Sequence, residues 1–181
     1  MTESQWGHGI NIMGSSPLLT PEKAGLRRMA DSVAPRFIPG DFNDETRLVA
    51  PYMDGLYRWP AAQLRRFSKA VQVPITVTGD PAAPIGDVES GDLTPEGFAR
   101  YLAGRLDRGE HWHACYASID TIPLVREEVQ RAGISPGVFG WFAANPTGEP
   151  HIYPGSVATQ WLWVPGSHDE SLVTAAWHPA A

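Results

Sequence analysis

From residue 72 onward, short apolar runs alternate with segments of helical spacing, and Gly or Pro marks each change of period. Residues 72–78 are rich in β-branched side chains and read as a strand, and residues 85–89 read as the next. Thr94-Pro95-Glu96 then opens a helix, with Thr94 as N-cap and Pro95 at the first helical position. Phe98, Tyr101, Leu102 and Leu106 fall on one face of it, and Gly109 ends it. Residues 112–118 form a strand, 122–132 a helix stopped by Gly133, and 138–143, 157–163 and 172–176 three more strands. Strands that alternate with helices at this pace imply βα units and a mainly parallel sheet.

The first third of the chain follows the same rhythm less regularly. Residues 6–13 read as a first strand closed by Gly14-Ser15-Ser16-Pro17. Thr20-Pro21-Glu22 repeats the helix opening and launches Ala24, Leu26, Met29 and Ala30, with a stop before Pro35. Residues 36–38 then form a second strand, residues 48–59 stay unassigned between Pro51 and Pro60, and residues 60–67 are helical. The eight strands so counted predict a single domain over residues 1–181, a small (β/α)8 TIM-like barrel. Because 181 residues is below the ~200 usual for that barrel, some helices are shortened or replaced by loops.

Composition excludes several classes of function. The net charge is −6 and no like-charged run occurs, so a phosphate-backbone binder is disfavoured; Arg27-Arg28 and Arg65-Arg66 fall in helical segments and read as solvated faces. No apolar run approaches the ~20 residues of a membrane span. The N-terminus lacks a basic stretch followed by an apolar one, so no signal peptide is expected. Cys115 stands alone in an apolar stretch and reads as a buried core thiol. His111 and His113 project alike without a third ligand, so no metal is expected. Gly7-His8-Gly9 lacks the rest of a dinucleotide fingerprint, and neither a phosphate loop nor a serine elbow occurs, so no cofactor is expected.

The chemistry concentrates in Asp87-Val88-Glu89. A strand repeats every two residues, so Asp87 and Glu89 share a side, with Cα atoms ~6.5 Å apart. They sit at the carboxyl end of an apolar strand, where parallel α/β folds hold their active sites. Two carboxylates this close repel, which raises the pKa of one. A protonated carboxyl beside an ionised one is what acid-assisted cleavage of a glycosidic bond needs. A strand-end acid that merely caps the following turn has the same sequence, so the triplet alone does not decide.

The order of motifs from Ile85 onward resembles the glycoside hydrolase family 25 lysozymes, and more closely the glycoside-hydrolase-like domains of actinobacteria and their phages. It runs Asp87-Val88-Glu89, a helix, Cys115-Tyr116-Ala117-Ser118, Trp141-Phe142-Ala143, Gln160-Trp161 and, near the last strand, Asp169. The resemblance implies Glu89 as general acid, Asp87 as its electrostatic partner, and Asp169 as a second carboxylate at the mouth. It implies Asn11, Tyr116, Trp141, Gln160 and Trp161 as substrate contacts. The family's first-strand Gly-φ-Asp pattern (φ apolar) meets Gly9-Ile10-Asn11, where Asn keeps the shape and loses the charge. The implied activity is lysozyme-like hydrolysis of β-1,4 links in peptidoglycan. The implied setting is a phage protein, cytoplasmic until release or carried in the virion. The alternative is a weakly active or inactive structural protein of the virion that binds a cell-surface glycan and other virion proteins.

Seven Trp residues add to this reading. Trp141 and Trp161 are candidates for stacking on sugar rings, while Trp161 and Trp163 share a strand face and at least one of them fills the core.

Overall fold

The computed structural model describes residues 25–175 and 177; the strand expected over residues 6–13, Asn11 and the start of the helix expected from Thr20 lie outside the described residues. Nine strands form one sheet: β1 (Arg27–Asp31), β2 (Leu48–Ala50), β3 (Val71–Gln72), β4 (Ile75–Thr76), β5 (Ile85–Val88), β6 (Ala114–Ser118), β7 (Gly140–Ala144), β8 (Ala158–Val164) and β9 (His168–Val173). Three α-helices accompany them: α1 (Ala61–Arg66), α2 (Pro95–Asp107) and α3 (Ile122–Arg131). The sheet order is β3-β2-β1-β9-β8-β7-β6-β5-β4. Every pairing is parallel except those of β9, which runs antiparallel between β1 and β8.

The sheet curls until its two ends meet. Only Val73 and Pro74 separate β3 from β4, and Pro74 has no N–H to continue the ladder. The seam is hydrogen-bonded nonetheless, because Ile75 N–H reaches the Pro51 carbonyl at 2.9 Å and Met53 N–H reaches the Ile75 carbonyl at 3.0 Å. The result is a curled, mixed α/β sheet. It departs from the expected (β/α)8 barrel in having three described helices and one antiparallel strand.

Segment Arg27–Asp31 is a strand, not part of the helix its spacing predicts. Hydrogen-bonding partners on both sides outweigh helix propensity there. β1 pairs with β2 and with β9 (Met29 opposite Leu48 and Ser171), which buries Met29 and Ala30 fully. The Arg27 guanidinium donates to the carbonyls of Glu45 and Thr46, and Arg28 pairs with Glu170 at 2.6 Å over the Phe42 ring. The expected strand at 36–38 is a 3-10 turn over Pro35–Phe37, held by Arg66, which donates to the Pro35 and Ile38 carbonyls at 2.9 and 2.7 Å.

Around β5 the expected elements form. The Thr94 hydroxyl accepts from Gly97 N–H at 3.0 Å and caps α2. Phe98 and Leu102 are fully buried, each worth roughly 1.5–3 kcal/mol of burial. A Cβ on Gly86 would stand 2.8 Å from the Phe98 ring, so α2 lies closer to β5 than any side chain there would allow. One apolar cluster joins α2 and α3 to the outer face of β5–β7. A second takes in Met29, Leu48, Ile75, Ile85, Tyr116 and Phe142 and continues to Trp59 and Phe67 beside α1.

Candidate active site

Topology gathers the acids. β1 ends on Asp31, and β5 is followed at once by Glu89. Because β9 runs the other way, its first residues lie at the same end of the sheet, and Asp169 is the register partner of Asp31. Carboxylate oxygens of Asp87, Glu89 and Asp92 come within 4.8 Å of one another. Asp31 and Asp87 are buried, at 4% and 1% exposure. Asp92 and Asp169 are half-buried, and Glu89 is exposed.

Burial and crowding set the protonation. Asp31 Oδ2 and Asp87 Oδ1 have no hydrogen-bond partner among the described residues, so neither site solvates a full negative charge. Burial first, then the charges of Asp169 and Glu89, push the Asp31 carboxyl well above the usual range. Asp87 is raised likewise, by burial, then Glu89, Asp92 and Asp31, against a long 3.4 Å hydrogen bond from the Tyr52 hydroxyl. Glu89 is raised by burial and by Asp92, while a hydrogen bond from Tyr116 pulls it back. Its side chain reaches water, yet it stands in a concavity whose walls displace solvent around it. Asp169 is pushed up to about 6, by burial and by Glu89 against a hydrogen bond from Gln160. The one proton of the Tyr116 hydroxyl is shared between Glu89 and Gln160 Oε1, which it meets at 2.5 Å. A polar chain thus runs from Asp169 through Gln160 and Tyr116 to Glu89.

Two hollows open on this mouth and share Val33 and Tyr52. One, about 190 Å³, is lined by Asp31, Asp169, Ser167 and Trp163, whose ring is 63% exposed. The other, about 430 Å³, is lined by Glu89, Asp92, Thr78, Leu56 and Tyr57. Together they form a groove across the carboxyl cluster with an aromatic ring on each side. The Asp54 carboxylate fixes the loop that carries Tyr57, accepting from Thr76, from Val77 N–H at 2.8 Å and from Thr78 at 2.7 Å.

Of the residues singled out from sequence, Asp87, Glu89, Asp169, Tyr116 and Gln160 are brought together. Trp141 is not. It is opposite Cys115 in the β6·β7 register, packs in the helix-side cluster, and lies under the Arg126 guanidinium at 5.7 Å. Tyr116, one residue on, belongs to the other face. Trp161 sits at the bulge where β8 slips register against β9, and its indole N–H has no partner among the described residues. Asn11 lies outside the described residues. Sequence reasoning missed Asp31, Tyr52, Tyr57 and Asp92; only Asp92, in the loop after Glu89, was open to detection. Asp87, Glu89 and Asp92 are the described residues able to surround a cation, although raised pKa values favour protons there. His111 and His113 do not converge: His113 is buried, and its Nδ1 accepts from Arg105 at 2.9 Å.

A curled, mostly parallel α/β sheet with titratable carboxyls at one end defines the architectural class. No protein-family model matches the chain, and no curated protein does. Among solved structures it is similar to GHIP of Streptococcus pneumoniae, a glycosyl hydrolase 25 described as a virulence factor participating in host cell invasion. The TM-score is 0.52 at 11% identity, over 84% of this chain and 88% of that one, a likeness of fold.

Proposed function

We propose that this protein is a glycosidase acting on β-1,4 links of a peptidoglycan-type glycan laid across the groove between Tyr57 and Trp163. The observation that carries the reading is a cluster of carboxyls, all with raised pKa values, gathered at an open groove. Burial raises Asp31 and Asp87 well above the usual carboxylate range, solvent-facing Glu89 is raised as well, and Asp169 is pushed up to about 6. Glu89, whose raised pKa favours the protonated form, donates to the glycosidic oxygen. Once ionised, it competes with Gln160 for the single proton of the Tyr116 hydroxyl. Asp169, ionised at neutral pH, stabilises the positive charge that develops on the sugar ring. Asp31 supplies, at the end of β1, the carboxyl that Asn11 lacks. The fold shared with a glycosyl hydrolase 25 supports a glycosidase activity.

Glu89→Gln keeps the volume and removes the proton donor. Reducing-sugar release from purified cell walls should fall by about 10²- to 10⁴-fold, with the melting temperature little changed. Turnover equal to wild type would overturn Glu89 as the acid.

A further inference from the structure

At the end of the sheet opposite the acidic mouth, one buried arginine is fully engaged. Arg105, in the last turn of α2, is 2% exposed, and its guanidinium has five N–H groups to place. Two reach the carbonyls of Pro81 and Ala83, the latter at 2.6 Å. Two more reach the Trp112 carbonyl at 2.9 Å and, less closely, the half-exposed Glu110 carboxylate at 3.5 Å. The fifth, on Nε, donates to His113 Nδ1 at 2.9 Å, and His113 is itself 3% exposed. Arg105 thus ties α2 to the segments that lead into β5 and β6.

Of these acceptors, the imidazole is the type of group that takes up a proton between about pH 5 and 8. A proton on Nδ1 turns the acceptor into a donor that faces a donor, and sets two cations side by side out of water. The charged groups that bear on the ring are Arg105 from α2 and Glu110 and His111 from the loop before β6. The strands on either side present backbone: Gly140 N–H bonds the His113 carbonyl, and Ala114 N–H bonds that of Pro84. Burial, then Arg105, hold the imidazole below its ordinary value, against a hydrogen bond with the Glu110 backbone and the Glu110 charge. We propose that the Arg105–His113 contact is an acid-released latch, whose breaking opens the base of the fold from the end of α2 to the start of β6. This does not rest on the glycosidase reading. The two ends of the molecule then answer acid with opposite sign. A raised carboxyl at the mouth favours the folded state in acid, whereas His113 contributes stability above about pH 6.5 that is lost as pH falls through its lower folded value.

The test is amide hydrogen exchange in wild type and in His113→Asn, which offers Oδ1 near the place of Nδ1 and takes no proton. Comparing the two proteins at one pH cancels the intrinsic exchange rates. At about pH 7.5 residues 106–115 should exchange alike, and at about pH 5 about tenfold faster in wild type, with α3 alike in both throughout. Equal rates at both pH values overturn the latch. Acceleration spread equally over α3 also overturns it, because the loss is then global and nothing opens locally. If the variant does not fold, wild type alone decides, by nuclear magnetic resonance of the His113 ring during an acid titration. A midpoint below about 6.5, with residues 106–115 opening in step and α3 closed, upholds the latch. Any other result overturns it.

Discussion

The two halves of the curled sheet are covered by different material. Over β5–β7 lie α2 and α3, whose apolar faces close against the strands with Phe98, Leu102, Val125 and Val129 buried. Over β1–β3 lie a six-residue α1 with no buried residue and two 3-10 turns. There, polar side chains on backbone carbonyls supplement the apolar packing of Ile38, Phe42, Trp59 and Phe67: Arg66 on Pro35 and Ile38, Trp59 Nε1 on Ser32 at 2.9 Å, and Ser32 Oγ on Ser167 at 2.5 Å. Both hollows of the mouth are walled on this side by loops, through Val33 and Tyr52 in each and Leu56 and Tyr57 in one. Helices supply the rigid back of the molecule. Turns, whose cross-links are directional and few, leave the concave space a ligand needs.

If that contrast holds, substitutions in the two halves should differ in size and in kind. The largest effect belongs to the helix side: Phe98→Ala should cost about 3–5 kcal/mol in urea unfolding, because Phe139 and Tyr101 cannot close the space. A loss under about half a kcal/mol, the scale of surface changes, would show that α2 is not the structural back. Arg66→Ala should cost less, about 1–3 kcal/mol for the charged hydrogen bonds it removes. It should also raise KM for wall glycan, since it loosens the segment that carries Val33 and Arg36. A stability loss with KM untouched would separate the turns from the groove.

The smallest effect is one of pH, because the mouth is open to water and solvent screens it. Asp169 ionises near 4 when unfolded and at about 6 when folded. The folded state therefore holds the proton longer. Its stability contribution is complete below about pH 4 and is lost as pH rises through about 6. Asp169→Asn should match wild type in acid and gain on it across that window, read as urea midpoints. Parallel curves at all pH values would place Asp169 in ordinary solvent.

The same contrast decides what the sequence discloses. α2 and α3 are written locally, in the Thr94 cap, the 3.6-residue spacing and the closing Gly109 and Gly133. β5 to β7 follow as the strands between them. β1 carries no such writing: its residues are good helix formers, and what makes them a strand is pairing with Glu170 and Ser171, far along the chain. Asp31 is hidden with it, because an acid at the end of an expected helix gives no hint of an active site. Asp87 and Glu89 are readable from a period of two. Trp141 misleads because its strand's phase is set by α3 behind it, so the ring that looks available for sugar is part of the packing.

The seam between β3 and β4 has a consequence for the protein in a crowded solution. A sheet that ends normally offers a row of unused N–H and C=O groups on which another chain can dock and from which fibres grow. Here the last strand begins two residues after the first ends, and the 51–53 segment takes up the donors and acceptors between them. Resistance to edge-on aggregation is built into the covalent order of the chain, and an insertion at Val73-Pro74 would open it.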